Sequence, residues 1–241
     1  MALDIFVPFV KNIVTYGYAL PLKAFPTSAF FSNNCSAFKH PSFVEEAIEE
    51  LLNKRCIEQH DTPPHVVNPL TVAEGKKLRL VLDLRYVNNF LKSKYEDLRT
   101  LSEIFESGFF FFTFDLESGY HHVRIVKHHQ QLLGFSWLFS DRKRRYFTFR
   151  VLPFGLSTAW YVFTKFLRPL VARLRSMGHV SPVYIDDGMS GASDKISAEA
   201  ASIIQKRDLA QCDLKCKEAK SNWETRQIGQ WLGYIIKSEC Q

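Results

Sequence analysis

The stretch Val183-Tyr184-Ile185-Asp186-Asp187-Gly188 sets two adjacent aspartates between an apolar run and a glycine. That order predicts a tight turn between two strands. Carboxylates held there are poorly solvated and repel one another, which is costly unless a cation is near. A hard divalent ion with oxygen ligands would relieve the repulsion. Taken alone, an Asp-Gly hairpin turn with solvated acids is the commoner explanation. A metal site therefore needs a third carboxylate from elsewhere in the chain.

Phe109-Phe110-Phe111-Phe112-Thr113-Phe114-Asp115-Leu116 supplies one. An aromatic, β-prone run of this kind reads as a buried strand that delivers a single acid at its end. If that strand lies beside the Tyr184 hairpin, Asp115, Asp186 and Asp187 converge. Three such acids can hold two divalent ions, Mg²⁺ or Mn²⁺, about 3.5–4 Å apart, the arrangement used for phosphoryl transfer.

The chain of 241 residues is long enough for one large domain or two small ones, and its 46% hydrophobic content excludes wholesale disorder. A net charge of +6 is compatible with a polyanionic partner without demanding one. The five cysteines, Cys35, Cys56, Cys212, Cys216 and Cys240, form no C-x-x-C pair, and their odd number argues against a closed disulfide framework. The sequence contains no signal-peptide pattern and no apolar run near the ~20 residues of a membrane span. The expectation is an intracellular protein with no membrane partner.

Residues 1–40, with Pro8, Pro21 and Pro26, read as an irregular N-terminal arm. Ser42-Phe43-Val44-Glu45 matches a capping box ahead of a helical stripe. Strands are expected over 66–72 and 78–84 around Gly75-Lys76-Lys77, and over 132–139 and 145–151 around a basic turn, Asp141 to Arg144. Helices are expected over 98–107, ended by Gly108; over 156–177, with Pro169 kinking or dividing it; and over 194–214. Residues 228–236 read as a last hairpin. Strands and helices are interspersed without a βαβ rhythm, which favours an α+β fold, a sheet with helices on one face.

Other blocks carry possible chemistry. Alternation in Leu78-Arg79-Leu80-Val81-Leu82-Asp83-Leu84-Arg85 puts Arg79, Asp83 and Arg85 on one strand face. Asp83 and Arg85 are best read as a salt bridge, and Arg79 as a bidentate phosphate contact. In Leu152-Pro153-Phe154-Gly155-Leu156-Ser157-Thr158, Gly155 permits close backbone approach, and Ser157 or Thr158 can cap the helix that follows. That helix start suits a phosphate, although an ordinary capped helix explains it as well. Tyr120 is either a ring stacked near the acids or a core tyrosine. His121-His122 and His128-His129 are not read as metal ligands, because adjacent residues in a strand face opposite sides. The cluster Arg142 to Arg145 is a backbone-tracking patch or a solvated turn, and Lys215, Lys217 and Lys220 show no role from spacing.

Together the blocks Arg79…Asp83…Asn88, Phe114-Asp115-Leu116-x-x-Gly119-Tyr120, Leu152-Pro153-Phe154-Gly155-Leu156, Tyr184-Ile185-Asp186-Asp187 and Trp231-Leu232-Gly233-Tyr234 resemble the reverse transcriptase domain of retroelements. Ser118-Gly119-Tyr120-His121-His122-Val123, Leu133-Gly134-Phe135-Ser136-Trp137 and Tyr161-Val162-Phe163-Thr164-Lys165 look most like DIRS-type elements, which typically encode a tyrosine recombinase. The resemblance implies an α+β fold over residues 41–236, a polymerase palm (an antiparallel sheet with helices packed on one face) with fingers, and a short tail at 237–241, with the thumb missing. It implies two Mg²⁺ or Mn²⁺ ions on Asp115 and Asp186 with Asp187 beside them. Arg79 would contact a dNTP triphosphate, Tyr120 would be the sugar gate, and Phe154 and Gly155 would line the nucleotide pocket. Lys220 would be a proton donor to pyrophosphate. The partners implied are an RNA or DNA template with its primer. One departure is Trp160, where the family commonly has proline. The alternatives are a catalytically silent, nucleic-acid-binding remnant and another metal-dependent phosphotransferase.

Overall fold

The computed structural model describes residues 8–92, 108–117 and 119–239. They divide into two units, one holding 108–117, 119 and 161–239, the other 8–92 and 120–160.

The first unit is built on the phenylalanine run. Phe110–Asp115 forms a strand whose residues are buried from Phe111 onward, and it lies inside a four-stranded antiparallel sheet. Asn222–Arg226 flanks it on one side and Asp187–Ala192 on the other, with Val183–Tyr184 at the edge. Alternate phenylalanines meet different partners. Phe112 and Phe114 stack on Trp223 with ring centroids 5.7 and 5.8 Å away. Phe109 and Phe111 pack with Met189 and Trp231. Both faces are thus covered, which is why the run is continuously aromatic rather than alternating. The helix Lys195–Gln211 packs against three of these strands and starts at Asp194, whose carboxylate accepts from the Ser197 amide at 2.8 Å. The helix Ala159–Ser176 contains Pro169 without being divided by it. Ile228–Trp231 pairs with Tyr234–Lys237 around Leu232 and Gly233, both at positive φ, as a two-residue hairpin requires.

The second unit centres on a five-stranded sheet in the order Ala29–Phe30, Val66–Asn68, Gly134–Leu138, Arg144–Phe149, Ile57–His60. Its first two pairings are parallel and the rest antiparallel. The strand expected over 66–72 is split at Pro69. Proline has no N–H to continue a ladder, so Val66–Asn68 stays in this sheet while Leu70–Ala73 pairs with Arg79–Leu82 as a separate hairpin.

Several other expectations are corrected. Residues 8–40 are not irregular throughout: Pro8–Tyr16 is a helix that buries Val10 and Ile13, and Tyr18 and Leu20 are also buried. The Leu20 amide donates to His129 Nδ1 at 2.9 Å. The helix Pro41–Asn53 has His40 at its N-cap, and no side chain caps it. Ser42 lies inside the first turn, and Glu45 accepts from the Ser140 amide at 2.9 Å instead of closing a capping box. The helix expected over 98–107 lies outside the described residues. Among the described residues, no helix is long and apolar enough to cross a membrane.

Candidate active site

The hairpin at the end of the first unit's sheet sets the geometry. Tyr184 pairs with Asp187 and Val183 with Gly188, leaving Ile185 and Asp186 as the two loop residues. Ile185 takes φ +56°, a conformation that a β-branched residue rarely adopts. The strand after the turn registers Asp187 directly opposite Asp115 and Gly188 opposite Phe114. Residues opposite one another in an antiparallel pair project from the same face, so two carboxylates stand side by side. The carbonyl of Asp186 accepts from the Leu116 amide at 2.9 Å, tying the turn to the end of the Asp115 strand. The three aspartates named by the sequence are therefore brought to one end of one sheet.

Two glycines make this approach possible. A Cβ on Gly119 would lie 2.9 Å from the Phe163 ring and 3.3 Å from Cβ of Asp186. A Cβ on Gly188 would lie 2.5 Å from Cε1 and Cε2 of Phe114. The contacts with the two phenylalanine rings, at 2.9 and 2.5 Å, are shorter than real side chains tolerate, so only glycine fits without displacing neighbours.

Asp115 is buried, and its carboxylate is fully engaged. Oδ1 accepts from Lys217 Nζ at 2.7 Å and Oδ2 from Lys220 Nζ at 3.2 Å. The Asp115 amide donates to Ser221 Oγ at 3.1 Å. Burial pushes the Asp187 carboxyl above the ordinary aspartate range, and the charges of Asp186 and Asp115 push it further, against the pull of Lys220 and Lys217. Lys220 thus stands at the acids. Lys217, which spacing left without a role, stands closer still. The only signal for it is non-local: Cys216 bridges to Leu116, which lays residues 215–217 alongside 115–117.

The second unit holds the remaining candidates. Tyr120 and Phe154 are in ring contact at 5.3 Å, and His121 meets Phe154 edge-on at 5.6 Å. Phe154 is 46% exposed. Burial pushes the His121 imidazole down to about 4, so it is neutral at pH 7. These histidines lie in the 3-10 turn Gly119–His122 and the short helix Lys127–Gln130, not in a strand, so the opposite-face premise does not apply. Gly155 has φ +103° and helps to line a cleft of about 470 Å³ with Asn34, Thr71, Val81, Asp83 and Asn88. Asn88, to which sequence reasoning assigned no task, clamps that loop: its Nδ2 donates to the Gly155 carbonyl at 2.9 Å and its Oδ1 accepts from the Ser157 amide at 3.0 Å. The Thr158 hydroxyl is buried without a hydrogen-bond partner and caps nothing.

Arg79 is exposed at the start of its strand, opposite Ala73. Arg85 does not share that strand. It opens the short helix Arg85–Asn88 and forms a salt bridge with Asp83 at 2.6 Å, which holds the Asp83 carboxyl below its usual range. In the basic turn, Arg145 is paired with Asp141 and lies 4.2 Å from the Phe139 ring centroid.

Among the described residues, no set of three or more His, Cys, Asp or Glu is already spaced to hold an ion. The chemistry of the acids nevertheless fits a hard divalent cation. They offer only oxygen donors, and the burial and charge repulsion that together raise Asp187 are what a bound cation would offset. Asp115 itself is paired with Lys217 and Lys220.

Residues 73–236 match the family described as "Reverse transcriptase (RNA-dependent DNA polymerase)". The chain is 26% identical over 204 residues to the retrovirus-related Pol polyprotein from transposon opus of Drosophila melanogaster, covering 81% of this chain and 20% of that protein. It is 26% identical over 167 residues to the transposon Tf2-3 polyprotein of Schizosaccharomyces pombe, covering 67% of this chain and 12% of the other. The chain thus spans a fifth or less of these curated relatives. A solved foamy viral protease-reverse transcriptase in complex with double-stranded DNA has the same fold, with a TM-score of 0.69 at 21% identity over 94% of this chain and 38% of that one.

Proposed function

This chain belongs to the reverse transcriptase family, and on that premise we propose that it carries the nucleotidyl-transfer centre of an RNA-directed DNA polymerase from a retroelement. The unit with the aspartates is read as the palm and the other unit as the fingers. The observation that carries the reading is the register of Asp187 opposite Asp115, with the Asp186 turn tied to Leu116.

The reaction is an in-line displacement, in which a primer 3′-oxygen attacks the α-phosphorus of a dNTP and pyrophosphate leaves. Asp115, Asp186 and Asp187 would hold divalent ions, Mg²⁺ or Mn²⁺, which supply activation of the 3′-hydroxyl and charge stabilisation on the leaving pyrophosphate. The burial of Asp115 and the crowding of Gly119 and Gly188 hold the carboxylates in fixed positions, so little reorganisation is needed at the reacting atoms. Lys220 is assigned to protonate the leaving group. Arg79 is assigned to the triphosphate, where its planar guanidinium can make paired hydrogen bonds. Tyr120, braced by Phe154, is assigned to exclude a 2′-hydroxyl, and Gly155 to let the backbone approach the nucleotide.

The partners are a primed RNA or DNA template and dNTPs, and the site of action is intracellular. Within the family, the blocks around Gly119-Tyr120-His121-His122 and Tyr161-Val162-Phe163-Thr164-Lys165 support a DIRS-type source. A tyrosine recombinase gene in the same genomic element would agree with that assignment, and an integrase gene in its place would oppose it.

Primer extension on matched RNA and DNA templates, with Mg²⁺ or Mn²⁺, tests the function. The expected result is dNTP incorporation directed by RNA and lost on chelation. Incorporation on DNA alone would refute the RNA-directed reading, and no incorporation on either template would favour a silent, nucleic-acid-binding chain.

A further inference from the structure

Asp115 is the most buried of the three acids, and two ammonium groups engage its two oxygens unequally. Lys217 Nζ is 2.7 Å from Oδ1, with 36% of its side chain exposed. Lys220 Nζ is 3.2 Å from Oδ2, with 64% exposed. The main chain explains why Lys217 is the tighter partner. The Glu117 amide donates to the Lys215 carbonyl at 2.7 Å, and the Lys217 amide donates to the Asp115 carbonyl at 2.8 Å. These bonds flank the Leu116–Cys216 bridge, so Lys217 is fixed beside Asp115 by backbone before its side chain is considered. The amides of Lys220 and Ser221 then both turn back onto the Lys217 carbonyl, at 3.0 and 2.9 Å.

A lysine ammonium is a compact point charge. A divalent ion on Asp115 would meet that charge at close range in a partly desolvated site, where repulsion is far less screened than in water. Both cannot hold the same carboxylate oxygen well. We propose that Lys217 is a resident counter-cation of Asp115, which neutralises the buried acid in the metal-free chain and must be displaced when a divalent ion binds. Lys217 is then the residue that sets how weakly the aspartate site holds metal. It is a positioning and affinity-setting residue, not one that touches the reacting atoms. The inference rests on the metal reading given above.

The test measures Mn²⁺ binding directly, by electron paramagnetic resonance of the free ion, in the full chain without nucleotide. Lys217→Met keeps the unbranched apolar stem of the side chain, removes its charge, and should tighten Mn²⁺ binding roughly tenfold, the equivalent of about 1.4 kcal/mol. Lys217→Arg keeps a cation and should bind within about twofold of the unmodified chain. A purely structural role would leave the affinity of Lys217→Met unchanged or weaker, and either result would overturn the proposal. If neither the unmodified chain nor Lys217→Met binds Mn²⁺, the metal reading itself fails along with it.

A second measurement needs no variant. Acetic anhydride labelling of the unmodified chain, read by mass spectrometry, should show Lys217 becoming several-fold more reactive when Mn²⁺ is added, because its ammonium leaves Asp115. Unchanged or lower reactivity at saturating Mn²⁺ would refute displacement.

Discussion

Replacement of Gly188 by alanine probes the packing that holds the aspartates together. Gly188 sits opposite Phe114, one residue from Asp187, while Phe114 is one residue from Asp115. An added Cβ would fall 2.5 Å from two carbons of the Phe114 ring, well inside contact. The ring cannot simply swing away: it is 3% exposed and lies nearly parallel to Trp223, at an interplanar angle of 3°. Overpacking of this kind costs about 1–3 kcal/mol. Loss of the aromatic contact adds roughly 0.5–1.5 kcal/mol. Gly188→Ala should therefore lose about 2–4 kcal/mol of stability, read as a lower urea midpoint with an unchanged slope. Phe114→Leu supplies the control, because a smaller side chain makes room for the new methyl. Residues in contact are non-additive, so the double variant should be more stable than the sum of the two single losses by about 2 kcal/mol. A Gly188→Ala loss below about 0.5 kcal/mol, or a strictly additive double variant, would refute the packing argument.

Two further outcomes follow from the second unit. Burial lowers His121 from 6.5 to about 4, with the nearby charges of His122 and Lys54 acting in the same direction and Glu50 opposing them. The folded state thus binds fewer protons than the unfolded state, so the stability tied to this group is full above pH 6.5 and is lost as pH falls toward about 4. The loss is at most about 3 kcal/mol; urea melts at pH 7 and pH 4.5 should show a shallower pH dependence for His121→Phe, and equal dependence would contradict the assignment. Gly155→Ala should cost about 3 kcal/mol, from backbone strain at φ +103° and a clash of the new methyl with the Leu82 carbonyl. An unaltered melting temperature for that variant would show that the loop relaxes freely.

The parts of the fold written in local pattern are legible in the sequence. The phenylalanine run announces the strand that ends in Asp115, and Tyr184-Ile185-Asp186-Asp187 announces the turn that leads into the strand opened by Asp187. The salt bridge between Asp83 and Arg85 follows from their closeness in sequence. What failed locally failed for identifiable reasons. Pro69 ends one ladder and permits another, so one expected strand became two. Pro41 at the first turn of its helix displaced the start from Ser42. Lys217 and Asn88 could not be found by spacing, because each acts across a long separation. Lys217 meets an acid 102 residues away, and Asn88 clamps a loop 67 residues away. Such contacts depend on the register of distant strands and loops, which no short window contains.

We assign Asp186, at the tip of a hairpin tied to the Asp115 strand, to a nucleotidyl-transfer centre. Asp186→Asn leaves the carbonyl that accepts from Leu116 in place and removes only the charge. The most direct measurement is single-nucleotide incorporation on a primed RNA template by the unmodified chain and by Asp186→Asn, with both melting temperatures recorded. The expected result is incorporation by the first and a loss on the order of 10³-fold or more in the second, at equal thermal stability. Incorporation by Asp186→Asn at the unmodified rate would contradict it.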